Sequence, residues 1–401
     1  MWEQIRSNQI RSVVLTIGMG ALLVLIGYLL GLYFFDSAIA GLVIAILIWA
    51  VLSLVGYFRG DSLLLSMSKA KKIKRDDHPR LYNVVEEMKI ASGLEKMPGI
   101  YIIDDPALNA FATGRDPNRA SVAITSGLLQ KLNRDELQGV IAHEISHVKN
   151  RDVLLMSMCS ILLGTIVILA WYGSRIMFFG SMTGSSRRSS SGGGGQGQAI
   201  ILIVGLVFMI LAPIVAQLIY FAISRKREYL ADASAALYTR YPEGLASALE
   251  KLGASTGQLK SVNKATAPMY IVNPFRKKGM KASDLSSTHP PISERIRILR
   301  ALAGVSFNDY DQAYRQVHRG GKGVIPATSL AAGAVPIETI KLEGEAGEPN
   351  EMQRARETSD VMWRLSNYNT ITCDCGAKLR VPPKFKEPRI KCPHCGKTHQ
   401  V

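Results

Sequence analysis

The sequence predicts an α+β fold: a mainly helical core with a small β-sheet, four transmembrane helices and a C-terminal zinc ribbon. Three observations carry that expectation. Four apolar runs reach membrane-spanning length. Short alternating segments between residues 100 and 125 read as strands. Four of the five cysteines lie between Cys373 and Cys395 in paired spacing.

The first run, Val13 to Phe35, is joined to the second, Ala38 to Phe58, by Asp36-Ser37 alone. It is too long for the apolar stretch of a signal peptide, and the immediate second run argues for an uncleaved anchor. The third and fourth runs are Val153 to Tyr172 and Ala199 to Ile223. A neighbouring helix would tolerate Pro213 and Gln217 in the fourth. The alternative for this pair is a hairpin buried in protein or dipping into one leaflet.

Basic residues set the orientation. Arg59, Lys69, Lys71, Lys72, Lys74 and Arg75 follow the second run, Lys149 and Arg151 precede the third, and Arg225, Lys226 and Arg227 follow the fourth. An excess of Lys and Arg marks the cytoplasmic side, so both termini and the segment between the hairpins are expected there. Arg175, Arg187 and Arg188 count against this in smaller number, two of them inside the Ser/Gly-rich 181–197 linker. With 47% hydrophobic residues and a formal charge of +16, the chain is suited to an anionic bilayer surface. No groove-reading motif accompanies the charge, so the membrane reading is preferred over a nucleic-acid one and no clear nucleic-acid partner is indicated. Substrate, regulator and nucleic acid all stay open for the C-terminal module.

Between the spans, Pro79 to Gly93 reads as an amphipathic helix and Ile100 to Ile103 as a strand. Phe111–Thr113 and Val122–Thr125 flank the turn Arg115-Asp116-Pro117-Asn118 as a hairpin. The next helix opens at Asn133, an N-cap with a capping-box acid at Glu136, and carries an apolar stripe of Leu137, Val140, Ile141, Ile145 and Val148.

On that helix stands His143-Glu144-Ile145-Ser146-His147. Positions i and i+4 share one helix face, so both imidazoles can hold one zinc while Glu144 is aimed at a water on it. This is the arrangement of a zincin-type metalloprotease, in which the metal acidifies water and the glutamate takes its proton. Three protein ligands are needed for a catalytic zinc. A third histidine six residues after His147 is excluded, because Val153 stands there. The best remaining candidate is Glu228, with Asp232 one turn later placed to accept the outward N–H of a ligating histidine. Spacing alone leaves open a solvated acid paired with the neighbouring basic residues.

Asn109-Ala110-Phe111-Ala112-Thr113-Gly114, the HEISH helix with Lys149-Asn150-Arg151-Asp152, Glu228-Tyr229-Leu230-Ala231-Asp232, and Thr288-His289-Pro290-Pro291 together resemble the HtpX-type membrane metalloproteases, relatives of the CAAX prenyl proteases. The resemblance spans roughly residues 1 to 303. It implies that His143, His147 and Glu228 bind zinc and that Glu144 is the general base. It further implies that Asn109, Ala110, Phe111, Ala112 and Thr113 form an edge strand that pairs with an extended polypeptide substrate. His289 lies near the cleft by the same resemblance, where it would polarise the scissile carbonyl, occupy the open zinc position or cap a helix. Arg295 would anchor a nearby carboxylate. His78 and His318 have no partner readable from sequence. The resemblance implies removal of damaged membrane proteins. Prenyl-protein processing is the rival reaction, disfavoured by having only four spans, and a membrane scaffold with structural zinc is the rival class, disfavoured by an intact Glu144.

The chain thus divides into an N-terminal membrane hairpin (1–60), a protease domain (61–304) interrupted by the second hairpin (153–223), a linker (305–368) holding a short helix through Arg364, and a ribbon-like module (369–401). In that module Cys373 and Cys375, then Cys392 and Cys395, form two knuckles for a second, structural zinc; His394 or His399 would be substitutes for one thiolate. Cytoplasmic placement disfavours disulfides. Cys159 sits in an apolar span as packing, and the ribbon's partner is unknown from sequence.

Overall fold

The computed structural model describes residues 2–183, 210–215, 225–255, 257, 259, 269–272, 289–327, 330, 348–385 and 387–400. Helices α1 (Trp2–Phe35) and α2 (Ala38–Met67) form an antiparallel hairpin. The reversal is made by Asp36 at φ 48° and by Ser37, whose hydroxyl accepts from the Ala40 N–H. Small residues line the contact: a Cβ on Gly41 would sit 2.1 Å from the Gly27 carbonyl oxygen and 2.6 Å from the Gly31 Cα. Such close backbone approach is how helices associate where lipid removes the hydrophobic drive.

Helix α6 (Asp152–Thr183) packs on both, burying Leu162, Leu163 and Ile166 against Met19, Leu23 and Ile26. The far faces remain bare, with Leu47 and Leu54 at 59% and 58% exposure. Of the four expected spans, two meet length and hydropathy together among the described residues: Ala38–Met67 and the 152–172 part of α6, at mean hydropathies of 2.8 and 2.6. Helix α1 contributes a shorter apolar stretch, Thr16–Leu32. The expected Ala199–Ile223 span falls outside the described residues except for 210–215, which are helical. Helix α2 runs past the expected end at Phe58, and its last turns enter the core through Leu64 and Leu65.

The four-stranded sheet has the order β1 (Lys71–Lys72), β2 (Gly99–Ile103), β4 (Ala120–Thr125), β3 (Ala110–Gly114). Strands β2 and β4 are parallel; β3 returns antiparallel to β4 with Phe111 opposite Ala123, as the hairpin reading expects. Gly114 at φ 140° makes the hairpin possible, since a Cβ there would lie 2.4 Å from the Arg119 carbonyl oxygen. Strand β3 is an edge. Across the sheet lies α5 (Arg134–Lys149), whose capping box of Asn133 and Glu136 forms as expected. Helix α8 (Pro242–Ala254) crosses α5 at Gly139, where a Cβ would lie 2.6 Å from the Leu245 nitrogen. Helices α3 (Pro79–Ser92), α7 (225–239) and α9 (Ile292–Arg300) complete this core.

Two helices occupy the described parts of the 305–368 segment. Helix α10 (Phe307–Val317) turns its apolar side, including Phe307, Tyr310 and Ala313, into the core. Helix α11 (Glu351–Leu365) lies on α4 (Ser126–Lys131), with Arg354 Nε donating to the Gln130 carbonyl at 3.1 Å and Lys131 pairing with Glu351 at 2.9 Å. Most of the Gly/Ala/Pro-rich stretch between them, 331–347, is outside the described residues. The C-terminal module is two small hairpins, β5 (Asn369–Thr372) with β6 (Lys378–Val381) and β7 (Arg389–Lys391) with β8 (Thr398–Gln400).

Candidate metal centre

Helix α5 stacks His143 and His147 one turn apart, both buried, with their Nε2 atoms 3.3 Å apart. Helix α7 brings Glu228 to the same point. Its Oε2 lies 3.5 Å from His143 Nε2 and its Oε1 3.5 Å from His147 Nε2. Metal–nitrogen distances near 2.05 Å in a tetrahedron place ligand atoms about 3.3 Å apart, so this donor set fits zinc. Oε2 of Glu228 is buried without a normal hydrogen bond among the described residues, the condition of an atom whose natural partner is a cation.

Each histidine is oriented from behind by a carboxylate. Asp232 Oδ1 lies 3.0 Å from His143 Nδ1, and Asp152 Oδ2 lies 3.2 Å from His147 Nδ1. Asp232 is the partner expected from spacing; Asp152, three residues past the end of α5, takes the same position behind His147 without a spacing signal of its own. Arg295, completely buried, donates to Asp232 from Nε at 2.8 Å and from Nη2 at 2.7 Å, and its Nη1 is 3.4 Å from Glu228 Oε2. It therefore pairs with one carboxylate and reaches a second. Arg227 stands 3.6 Å from Asp152.

The electrostatics follow from burial and these pairs. Burial lifts the Asp232 carboxyl, but Arg295 outweighs it and holds the group ionised below the usual carboxylate range. Burial likewise lifts Glu228, and the surrounding imidazoles led by His289 take it well below that range. Burial alone would depress His147, yet Asp152 and Glu228 raise it to about 10. Burial raises Glu144 above its ordinary value, offset in part by His143 and His147. A carboxylate destabilised in this way is a better proton acceptor.

His289 is buried, with Nε2 3.8 Å from Glu228 Oε2, and desolvation lowers it to about 4. It thus joins the cluster beside Glu228. The five residues expected as a substrate strand have separate fates. Asn109 is spent internally, its Nδ2 donating to the Val272 carbonyl at 2.9 Å, and the Ala110 carbonyl accepts from the Ile271 N–H at 2.9 Å. Phe111 packs edge-on against Tyr270, and the Thr113 hydroxyl meets Ser157 at 3.3 Å. Ala112 is the one whose backbone reaches the Glu144 carboxylate. Segment 269–272 therefore covers one end of the edge, and the edge meets Glu144 at Ala112.

In the C-terminal module the four thiols converge. Cys373 Sγ is 3.4 Å from Cys395 Sγ, and Cys375 Sγ is 3.8 Å from Cys392 Sγ. Zinc–sulfur bonds of 2.3 Å in a tetrahedron give about 3.8 Å, so this set also fits zinc. Gly376 and Gly396, at φ 83° and 75°, close the two knuckles with N–H donors to the Cys373 and Cys392 carbonyls. Backbone N–H groups, that of Cys395 first, draw the Cys392 thiol down to about 6. The Cys375 N–H does the same at Cys373, but burial and the adjoining thiols push that group up to about 12. His394 and His399 are not members of either group of metal-competent side chains among the described residues.

The sequence profile described as "Peptidase family M48" matches residues 75–303. A protein named Protease HtpX homolog from Dictyoglomus turgidum is 45% identical over 301 residues, covering 75% of this chain and 94% of its own length. One of the same name from Streptococcus mutans is 43% identical over 302 residues, covering 75% of this chain and all of the relative. Among solved structures, that of S. mikatae Ste24p aligns with a TM-score of 0.40 at 19% identity, over 75% of this chain and 67% of the other. The matched segment contains the HEISH helix, the third acidic donor and their supporting carboxylates: the chain belongs to peptidase family M48 and is a membrane zinc metalloprotease.

Proposed function

We propose that the chain is an endopeptidase whose catalytic zinc is held by His143, His147 and Glu228. The observation that carries this reading is three donors on two helices, within 4.8 Å of one another, with an unligated carboxylate between the two histidines. When bound, zinc lowers the pKa of water and polarises the scissile carbonyl. Glu144 accepts the nucleophile's proton and returns it to the leaving amine. Asp232 and Asp152 fix the tautomers of His143 and His147, leaving each Nε2 free for the metal. Arg295 keeps Asp232 ionised and aligned. His289 donates toward the developing carbonyl charge. Extended substrate adds to β3 at Ala112, which brings a main-chain carbonyl to Glu144 and suits low side-chain selectivity.

The second zinc sits in the Cys373, Cys375, Cys392, Cys395 module and is structural, since four thiolates leave no position for substrate. The basic residues flanking the spans support a multi-pass protein with cytoplasmic termini and active site in the cytoplasmic membrane. Substrates are then unfolded or damaged membrane proteins. The test is cleavage of an unfolded model protein by wild type and Glu144→Gln, with metal analysis of both. Retained zinc and lost hydrolysis are expected; hydrolysis by Glu144→Gln at the wild-type rate would exclude this mechanism.

A further inference from the structure

The family match ends at residue 303, and α10 begins four residues later. We propose that α10 braces the helix carrying Glu228, with His318, Glu294 and Tyr229 as positioning residues of the zinc centre. The inference rests on Glu228 being the third ligand.

Consecutive helix residues point about 100° apart. While Glu228 faces the histidines, Tyr229 faces α9 and α10. The Tyr229 hydroxyl donates to Glu294 Oε1. His318 Nε2, just past the end of α10, lies 2.8 Å from the same oxygen. His318 is itself fixed: its Nδ1 is 2.9 Å from the Tyr314 carbonyl, and the Tyr314 ring stacks on it at 4.0 Å and 26°. The Tyr314 ring also meets Tyr229 edge-on at 5.0 Å. An aromatic and hydrogen-bonded contact from α10 therefore closes on the residue next to the proposed ligand.

Helix α9 grips α7 with two successive side chains. Arg295 holds Asp232, one turn beyond Glu228, and Glu294 holds Tyr229. His318 completes the second grip, which would otherwise depend on a single tyrosine. Helix α10 is well seated for this task. Ser306 caps it by accepting from the Asp309 N–H at 3.0 Å, and Asp311 accepts from the Ile325 N–H at 3.0 Å. Tyr310 is buried in the hydrophobic core, beside the Asp232–Arg295 pair. A metal site must be held to within about 0.5 Å by groups whose own rotamers are locked. On α7, residues outside the family-matched segment supply part of that locking.

The experiment uses the purified full chain. Zinc affinity is measured by chelator competition, and kcat and KM are measured at saturating zinc. His318→Ala and Tyr229→Phe are each expected to weaken zinc about tenfold, the lower end for outer groups at metal sites. Both should lower kcat with KM nearly unchanged, because α7 positions the metal and substrate adds to β3. The double variant should lose little more than either single one, since both cut the same chain of contacts. His318→Gln, whose amide can still donate to Glu294, should recover most of the affinity. Arg315→Ala, on the same helix and, among the described residues, paired with Asp311 rather than with Glu294 or Tyr229, should bind zinc as the wild type does. Wild-type zinc affinity in His318→Ala would overturn the proposal, as would an equal loss in Arg315→Ala, which would make α10 a general scaffold. Glu228→Ala separates the two levels of the argument. If it keeps full zinc affinity, the ligand assignment fails; if it loses zinc while His318→Ala does not, only the brace fails.

Discussion

Replacing Asp152 by alanine tests the proposed zinc centre where it meets the apolar helix α6. Asp152 is the first residue of α6 and is completely buried, 3.2 Å from His147 Nδ1. With zinc on Nε2, the ring must be neutral and donate from Nδ1, so the carboxylate both selects this tautomer and strengthens the ring as a donor. A hydrogen bond to an ionised partner contributes about 1.5–3 kcal/mol. At about 1.4 kcal/mol per tenfold, its loss should weaken zinc by about ten- to a hundredfold. Asp152→Asn keeps an acceptor of the same shape but no charge, and charge assistance roughly doubles such a bond. Its loss should therefore be about half as large in free energy. Chelator competition on the purified protein measures both, and excess zinc should restore most of the kcat of Asp152→Asn. Unchanged affinity in Asp152→Ala would refute the reasoning, and so would an asparagine variant as weak as the alanine one.

Other expectations follow from the same geometry. Asp232→Ala should be the harsher counterpart of Asp152→Ala, because it removes the acceptor of two close hydrogen bonds, at 2.8 and 2.7 Å, from the buried Arg295, whereas Arg227 stands 3.6 Å from Asp152. Breaking a buried pair costs about 3–5 kcal/mol, so a large fall in Tm with zinc present is expected. Gly139→Ala should cost about 1–3 kcal/mol by driving α5 from α8, read from urea denaturation. His78 caps α3 by accepting from the Leu81 N–H, and burial followed by Arg80 lowers it from 6.5 to about 4. Because the folded value is depressed, its contribution is complete above pH 6.5 and is lost as pH falls through about 4, to at most about 3 kcal/mol. His78→Asn keeps a capping side chain without titrating, so its Tm should fall less than that of the wild type between pH 6.5 and 4. Deleting residues 369–401 should remove one zinc equivalent and spare cleavage of an unfolded peptide; a truncated chain that still holds two zincs would sink the ribbon assignment.

The parts of the site carried by one helix were legible in the sequence, and those made by long-range contact were not. The α5 cap, its apolar stripe and the pair at i and i+4 are local facts, and the helix forms with His143 and His147 on one face. Glu228 needed the resemblance, because a single acid in a basic run looks alike whether solvated or buried. Arg295 shares a short stretch with Arg297 and Arg300, and only the packing of α9 shows that the first points inward while the others do not. Asp152 reads locally as an ordinary acid in the first turn of α6. That segment 269–272 covers part of the β3 edge depends on partners about 160 residues apart in sequence. Helix α10 had a local signature in Ser306, Asp309 and the spacing of Phe307, Tyr310 and Ala313, but the composition after Gly320 favoured a linker.

These contacts tie the apolar helix α6 to the candidate metal centre. The two helices that offer zinc donors, α5 and α7, are separated in sequence by α6 and the residues that follow it. Asp152, at the foot of α6, orients His147 from one side, while Arg227, on the returning helix, lies 3.6 Å from the same carboxylate. Glu228 is the next residue after that arginine. The start of the apolar helix α6 and the helix carrying Glu228 thus meet at one buried ion pair, immediately behind the candidate zinc donors. Ser157, one turn and a half further into α6, contacts Thr113 on β3, so the strand beside Glu144 is held by the same helix. A shift of α6 would move the partner of one histidine and the support of the β3 edge together. Helices α9 and α10 restrain α7 from the opposite side through Arg295 and the Glu294 contacts. The proposed third ligand is therefore positioned between the apolar helix α6 and an element beyond the family-matched segment, neither of which contributes a proposed ligand of its own.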